Sequence, residues 1–234
     1  MRRSLALAIV VLAACAPRPT AAPGALQAAE TGIEVVSRRD VAPAGGDGAP
    51  RLGLVLVRAG GVRVPIEGEA THYALFRDGA AILRPDESLE LVTASEPGTR
   101  TVLARRSGPP ARDAEGALLY VARYDLDAEL HRLSPSGEDR VLARGLVGIG
   151  LLSPQPDGRV LFVASVNGGV AGLFVADERG ARCLTNCALR TGEPWGDALV
   201  PIPASAEALS LEGDVARWIG ASGESHSVAL GGPR

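Results

Sequence analysis

The sequence contains no lysine: all 24 basic residues are arginine, set among 27 Asp and Glu for a net charge of −3. They are interleaved with the acids rather than clustered, so they read as a solvated surface and offer no track for nucleic acid. Aromatic residues are scarce at 3%; a core must be built from Val, Leu, Ile and Ala. Nowhere in the mature chain do caps and an apolar 3.6-residue period coincide over more than ten residues, which excludes a helix of consequence. The pattern G-x-S-x-G is absent, and with it the nucleophile elbow of an α/β-hydrolase. Only three histidines occur, His72, His131 and His226, and no two have a ligand spacing such as H-x-x-x-H. Ser222 lies near His226 in GASGESH, but the glycine is displaced and the segment reads as a strand turn.

What is present is a repeat. In DGRVLFVASVNGGVAGLFVADERGARCLT, from Asp157 to Thr185, a turn pair opens an apolar run, a Gly-rich turn leads to a second run, and a tight turn at Arg179-Gly180 opens a third. Gly61, Gly98, Gly137, Gly180 and Gly223 each separate two strand-like runs and are spaced by 37, 39, 43 and 43 residues. Glu115-Gly116 precedes ALLYVAR as Asp157-Gly158 precedes RVLFVAS, 42 residues earlier. Periods of about 40 to 45 residues with several strands each indicate propeller blades. The runs LLYV and VLFV are apolar at every position, so each sheet needs a neighbour on both sides. The expected fold is all-β, a β-propeller of about five four-stranded blades, with closure and a sixth blade left open.

Before the repeats, Arg2 and Arg3 precede an apolar stretch from Leu5 to Ala14, about half the length that spans a bilayer. This is a signal peptide. It ends in Leu12-Ala13-Ala14-Cys15, which resembles a bacterial lipobox. That resemblance implies cleavage before Cys15, lipidation of its thiol, and stable anchoring through several acyl chains. Residues 1–14 are then the leader, 15–31 a lipidated tether rich in Pro, Ala and Gly, and 32–234 the repeat domain. With Arg2 and Arg3 gone, 22 Arg face 27 acids, a net charge of −5. Ala16 follows the cysteine where Asp would signal retention, so the expected address is the outer membrane, facing the periplasm.

The segment LSPQPDGRVLFVASVNGGVAGLFVADERGARCLTN resembles the WD40-like repeat of TolB-type propellers. Ser153-Pro154, Asp157-Gly158, Gly180 and Leu184-Thr185 stand in the order of that repeat. Residues Ala111 to Gly145 match more loosely, and the remaining copies keep only the hairpins. The resemblance implies a scaffold that offers its rim or channel to a partner.

Two further clusters carry possible chemistry. Asp125, Asp127 and Glu129 alternate on an extended segment, so their carboxylates project to one side and could face a hard cation. The spacing lacks the central Gly and distal Glu of a calcium loop, and no metal is assigned. Cys183 and Cys187 stand about 13 Å apart if the chain is extended, beyond the roughly 7 Å a disulfide spans. A turn at Thr185-Asn186 brings them together, and an oxidising periplasm then favours their bond. The function expected from this is a non-catalytic envelope lipoprotein whose propeller binds a protein, peptide or glycan, with no cofactor. The alternative is a propeller hydrolase or lyase with a site assembled at the channel mouth.

Overall fold

The computed structural model describes residues 31–40, 49–58, 60–96, 98–123, 127–166, 169–191 and 199–231. Cys15, the leader, the tether up to residue 30, and Asp125 lie outside these residues. Among the described residues every regular element is a strand, and every strand pairs antiparallel with its neighbour in sequence. Blade 1 holds β1 (Gly32–Arg39), β2 (Arg51–Val57) and β3 (Arg63–Ala70). Blade 2 holds β4 (His72–Phe76), β5 (Gly79–Leu83), β6 (Leu89–Thr93) and β7 (Arg100–Ala104).

A seven-stranded sheet then supplies two blades. It runs β8 (Ala111–Arg112), β9 (Leu118–Ala122), β10 (Ala128–Leu133), β11 (Asp139–Pro154), β12 (Val160–Val166), β13 (Gly172–Asp177) and β14 (Gly180–Cys183). Its pivot is β11, whose first half pairs with β10 and whose second half pairs with β12. Positive φ at Gly145, Gly148 and Leu151, with register shifts around Gly150, carries one continuous strand out of blade 3 and into blade 4. Blade 5 holds β15 (Leu209–Glu212), β16 (Val215–Ile219) and β17 (Ser225–Ala229).

Four apolar clusters join these five blades in series. Strand alternation sorts the side chains between them. In β9, Leu118 and Tyr120 face blade 2, while Leu119 and Val121 face blade 4. In β12 and β13, Phe162 and Phe174 stack at 5.4 Å toward blade 3, while Leu161, Leu173 and Val175 turn to blade 5. The outer blades differ. In blade 5, Leu209, Ala216, Trp218 and Leu230 face inward, whereas Ser210, Glu212, Arg217, Ser225 and Ser227 are exposed. In β3, Ile66 and Ala70 are buried while Arg63, Pro65, Glu67 and Glu69 are exposed. No apolar cluster among the described residues joins blade 1 to blade 5. The fold is therefore a propeller-type stack in which the described residues on the outer faces of the first and last blades are largely polar.

Among the described residues one pattern of two turn hydrogen bonds recurs six times, at 58–62, 84–88, 113–117, 134–138, 155–159 and 220–224. In each, the first amide donates to the fifth carbonyl and the fourth amide to the first carbonyl. The fourth residue has positive φ and is Gly61, Gly116, Gly137, Gly158 or Gly223, with Glu87 as the exception at φ 65°. The glycine series read from the sequence thus mixes two turns. Gly137 and Gly223 occupy this loop, but Gly180 ends the two-residue turn of Glu178 and Arg179.

Arginine does more than face solvent, as a clamp sits at each blade junction. Arg84 donates to the Glu69 carbonyl across blades 1 and 2, and Arg77 to the Ser134 carbonyl across blades 2 and 3. Arg140 reaches the Glu178 carbonyl across blades 3 and 4, and Arg159 the Gly213 carbonyl and Asp214 across blades 4 and 5. A planar fork with five donors suits this work, since one guanidinium can hold its own blade's carboxylate and a neighbour's carbonyl together.

Candidate functional site

The junction of blades 4 and 5 holds a groove of about 380 Å³. One side comes from the link between β12 and β13, Val170 and Ala171; the other from the extended segment Leu199 to Ile202. Asn186 ties the two sides together. Its amide donates to the carbonyls of Ala171 and Val200, and its oxygen accepts from the Val200 amide. Asn186 has φ 59°, a left-handed conformation that Asn tolerates better than most residues. It stands within the Cys183–Cys187 disulfide, whose Cα atoms are 5.7 Å apart. The turn at Thr185-Asn186 therefore brings both the sulfurs and the groove walls into place.

At one end of the groove lie Ser222 and Glu224, on the loop before β17. The Glu224 carboxylate accepts from the Ser222 hydroxyl and lies 3.2 Å from Nε2 of His226. The imidazole stacks on Trp218 at 5.4 Å, and the Trp218 indole donates to the carbonyl of Pro201 in the opposite wall. The Ser222 hydroxyl, the Glu224 backbone amide and then His226 hold the Glu224 carboxyl down at about 2, so it is ionised throughout the neutral range. The carboxylate beside Nε2 and the indole face together fix the orientation of the ring. Ser222 bonds to the carboxylate rather than to the imidazole, so the order required of a nucleophilic triad is not met.

A second polar cluster lies on blade 3. Tyr120 donates to Asp139 at 2.7 Å and stacks on His131, whose ring nitrogens lie 3.2 Å from Asp139 and 3.5 Å from Glu129. Burial, then the bond to Asp139, raises the Tyr120 hydroxyl above its ordinary pKa. Both nitrogens of His131 face carboxylates, so this imidazole is locked in place rather than presented to a ligand.

The remaining sequence candidates do not converge. Asp127 is exposed with Arg123 at 3.8 Å, and Glu129 turns to His131. Asp127 has φ 55°, which breaks the extended alternation that would align its carboxylate with that of Glu129. Among the described residues no group of three His, Cys, Asp or Glu could hold a metal ion. His72, His131 and His226 belong to blades 2, 3 and 5. Sequence reasoning weighed Ser222 beside His226 and set the pair aside as a strand turn, and it missed Glu224. The signal was available, because residues two apart on a strand share a face. Tyr120, His131 and Asp139 meet only through the register of three strands, which no local pattern announces.

No known protein family matches the sequence, and no curated protein matches it. Solved structures do resemble the fold. Virginiamycin B lyase from Staphylococcus aureus matches 87% of this chain and 76% of its own, with 10% identity and a TM-score of 0.44. A protein described as a gluconolactonase matches 87% of this chain and 83% of its own, with 14% identity and a TM-score of 0.41. The aldose sugar dehydrogenase of Streptomyces coelicolor, in its PQQ-bound form, matches 87% and 83%, with 12% identity and a TM-score of 0.38. The expectation that the chain is not an enzyme is corrected to this extent: the neighbours of its fold are themselves named for catalytic activities, at identities that carry none of those activities to this chain. The missing G-x-S-x-G motif excludes one hydrolase architecture only; function resides in sites grafted on a fold, and strands of separate blades can supply one without a linear signature.

Proposed function

We propose that this protein is a propeller enzyme of the hydrolase or lyase class, with His226 as its proton acceptor and Glu224 as the group that orients it. The observation that carries this reading is Glu224, which lines the end of an apolar groove with His226 beside it at 3.2 Å and stacked on the buried Trp218, whose indole donates to Pro201 in the groove wall. A positioned imidazole can activate water for hydrolysis or remove a proton for elimination, contributing about 10²- to 10⁴-fold to rate. The test is a panel of aliphatic esters, lactones and β-substituted carbonyl compounds. His226→Ala should lower kcat/KM on any substrate found by about 10²-fold or more, and Glu224→Gln by less. Unchanged turnover in His226→Ala sinks the assignment.

A second reading, a scaffold for a protein, peptide or glycan, is favoured by Leu199 and Ile202, which stand exposed on the groove wall. Under either reading we place the TolB-type domain in the bacterial envelope, tethered through lipid on Cys15, on the strength of the lipobox-like sequence. Cys15→Ser should move the protein from the membrane to the soluble fraction with the domain still folded; retention in the membrane argues against the anchor.

A further inference from the structure

Glu224 is the single charged side chain among the described residues lining the groove at the fourth junction. The other polar groups there are already engaged. The Asn186 amide is bonded to Ala171 and Val200 on both of its ends, and the Ser222 hydroxyl donates to Glu224. No arginine is among the described residues that line the cavity, although the chain has 24. The walls beyond Glu224 are aliphatic: Val170, Leu199, Val200 and Ile202. A ligand therefore meets hydrocarbon along its length and one fixed negative charge at its end, with no cation among the described lining residues to pair with an anion.

We propose that this groove takes a small aliphatic molecule bearing an ammonium group, with the alkyl body between Val170 and Ile202 and the cation on Glu224. The inference rests on the proposed function for its place in a reaction, but the binding it describes stands by itself. A charge-assisted hydrogen bond to the carboxylate adds to the burial of the chain. An alkyl carboxylate of the same length would bring two like charges together and is rejected. The overall negative charge of the chain steers in the same direction.

The indole N–H of Trp218 bonds to Pro201 in the groove wall and reports occupancy by nuclear magnetic resonance. Hexylammonium, hexanol and hexanoate are titrated into the full-length chain at about pH 8, where the ammonium is protonated and the carboxylate ionised. Hexylammonium should bind about tenfold more tightly than hexanol, equivalent to one charge-assisted contact, and hexanoate more weakly than either. Glu224→Gln should bring the ammonium and the alcohol to equal affinity. Ile202→Lys, at an exposed wall position, should weaken hexylammonium and leave hexanol nearly unchanged. Equal binding of all three probes, or tightest binding of hexanoate, or no shift of the Trp218 signal with any probe, overturns the inference. Charge-selective binding without His226-dependent turnover leaves it standing and removes the proposed reaction; turnover without charge selectivity does the reverse.

Discussion

At the scale of single residues, the polar groups that matter here are fixed by other polar groups rather than by solvent. Tyr120 is nearly buried, and its hydroxyl is satisfied by Asp139. Burial and that bond both favour the protonated phenol, so its folded pKa is raised. The sign follows directly: a raised pKa stabilises the fold fully below the unfolded value of about 10 and loses that contribution as pH rises through the folded value. Stability should therefore fall on alkaline titration above about pH 10. Tyr120→Phe should cost about 1 kcal/mol at neutral pH and flatten the alkaline decline. Urea unfolding at a series of pH values measures both; an equally steep decline in the variant contradicts the assignment.

At the scale of elements, the junctions carry the argument. Blades 1 and 2 meet through an apolar cluster and through Arg84, which is 7% exposed and bonds both the Glu90 carboxylate and the Glu69 carbonyl. Glu90 is itself only 15% exposed and has Arg100 at 3.8 Å as its other partner. Removing Arg84 leaves a carboxylate out of water with the weaker of its two contacts, and breaking such a pair costs about 3 kcal/mol or more. Arg84→Ala should lower stability by about that amount, whereas the exposed pair of Arg38 and Asp40 should contribute under about 1 kcal/mol. Chemical denaturation of the two alanine variants compares them, and equal small losses would mean that the clamp is dispensable.

Much of this level was legible in the sequence. Runs such as LLYV and VLFV lack a polar position, so they had to be covered on both faces, and the turns fall at the glycine-bearing pairs. Two stretches carry no local strand signal. The two-residue β8 is too short to show a period, and the second half of β11 contains Gly148 and Gly150, which read as loop until the strands on either side are in place. The groove was not legible because its walls come from residues 170, 186, 199–202 and 221–224, brought together by a disulfide loop and a bridge between Pro203 and Gly220. Glu224 and His226, two apart on one segment, were the part that could have been read.

At the scale of the whole molecule, five blades stand in a row whose outer faces, among the described residues, are largely polar. The sequence carries this too, in the change from uniformly apolar strands in the middle to alternating ones at the ends: VARWI and SHSVA place Arg217, Ser225 and Ser227 on one face and Trp218, His226 and Val228 on the other. Val36 at 51% and Ile219 at 41% exposure mark the outer faces of the first and last blades. A ring closed by dry contact would have buried both. The groove and its carboxylate sit at the last junction of this row, so the open end and the candidate site depend on the same arrangement. The most direct measurement is thiol labelling of Ser227→Cys, at the outer face of the last blade, in the oxidised chain carrying Cys15→Ser. Open stacking predicts reaction with a maleimide at a rate within a few-fold of a free peptide thiol, while protection of the thiol until the protein is unfolded would contradict it.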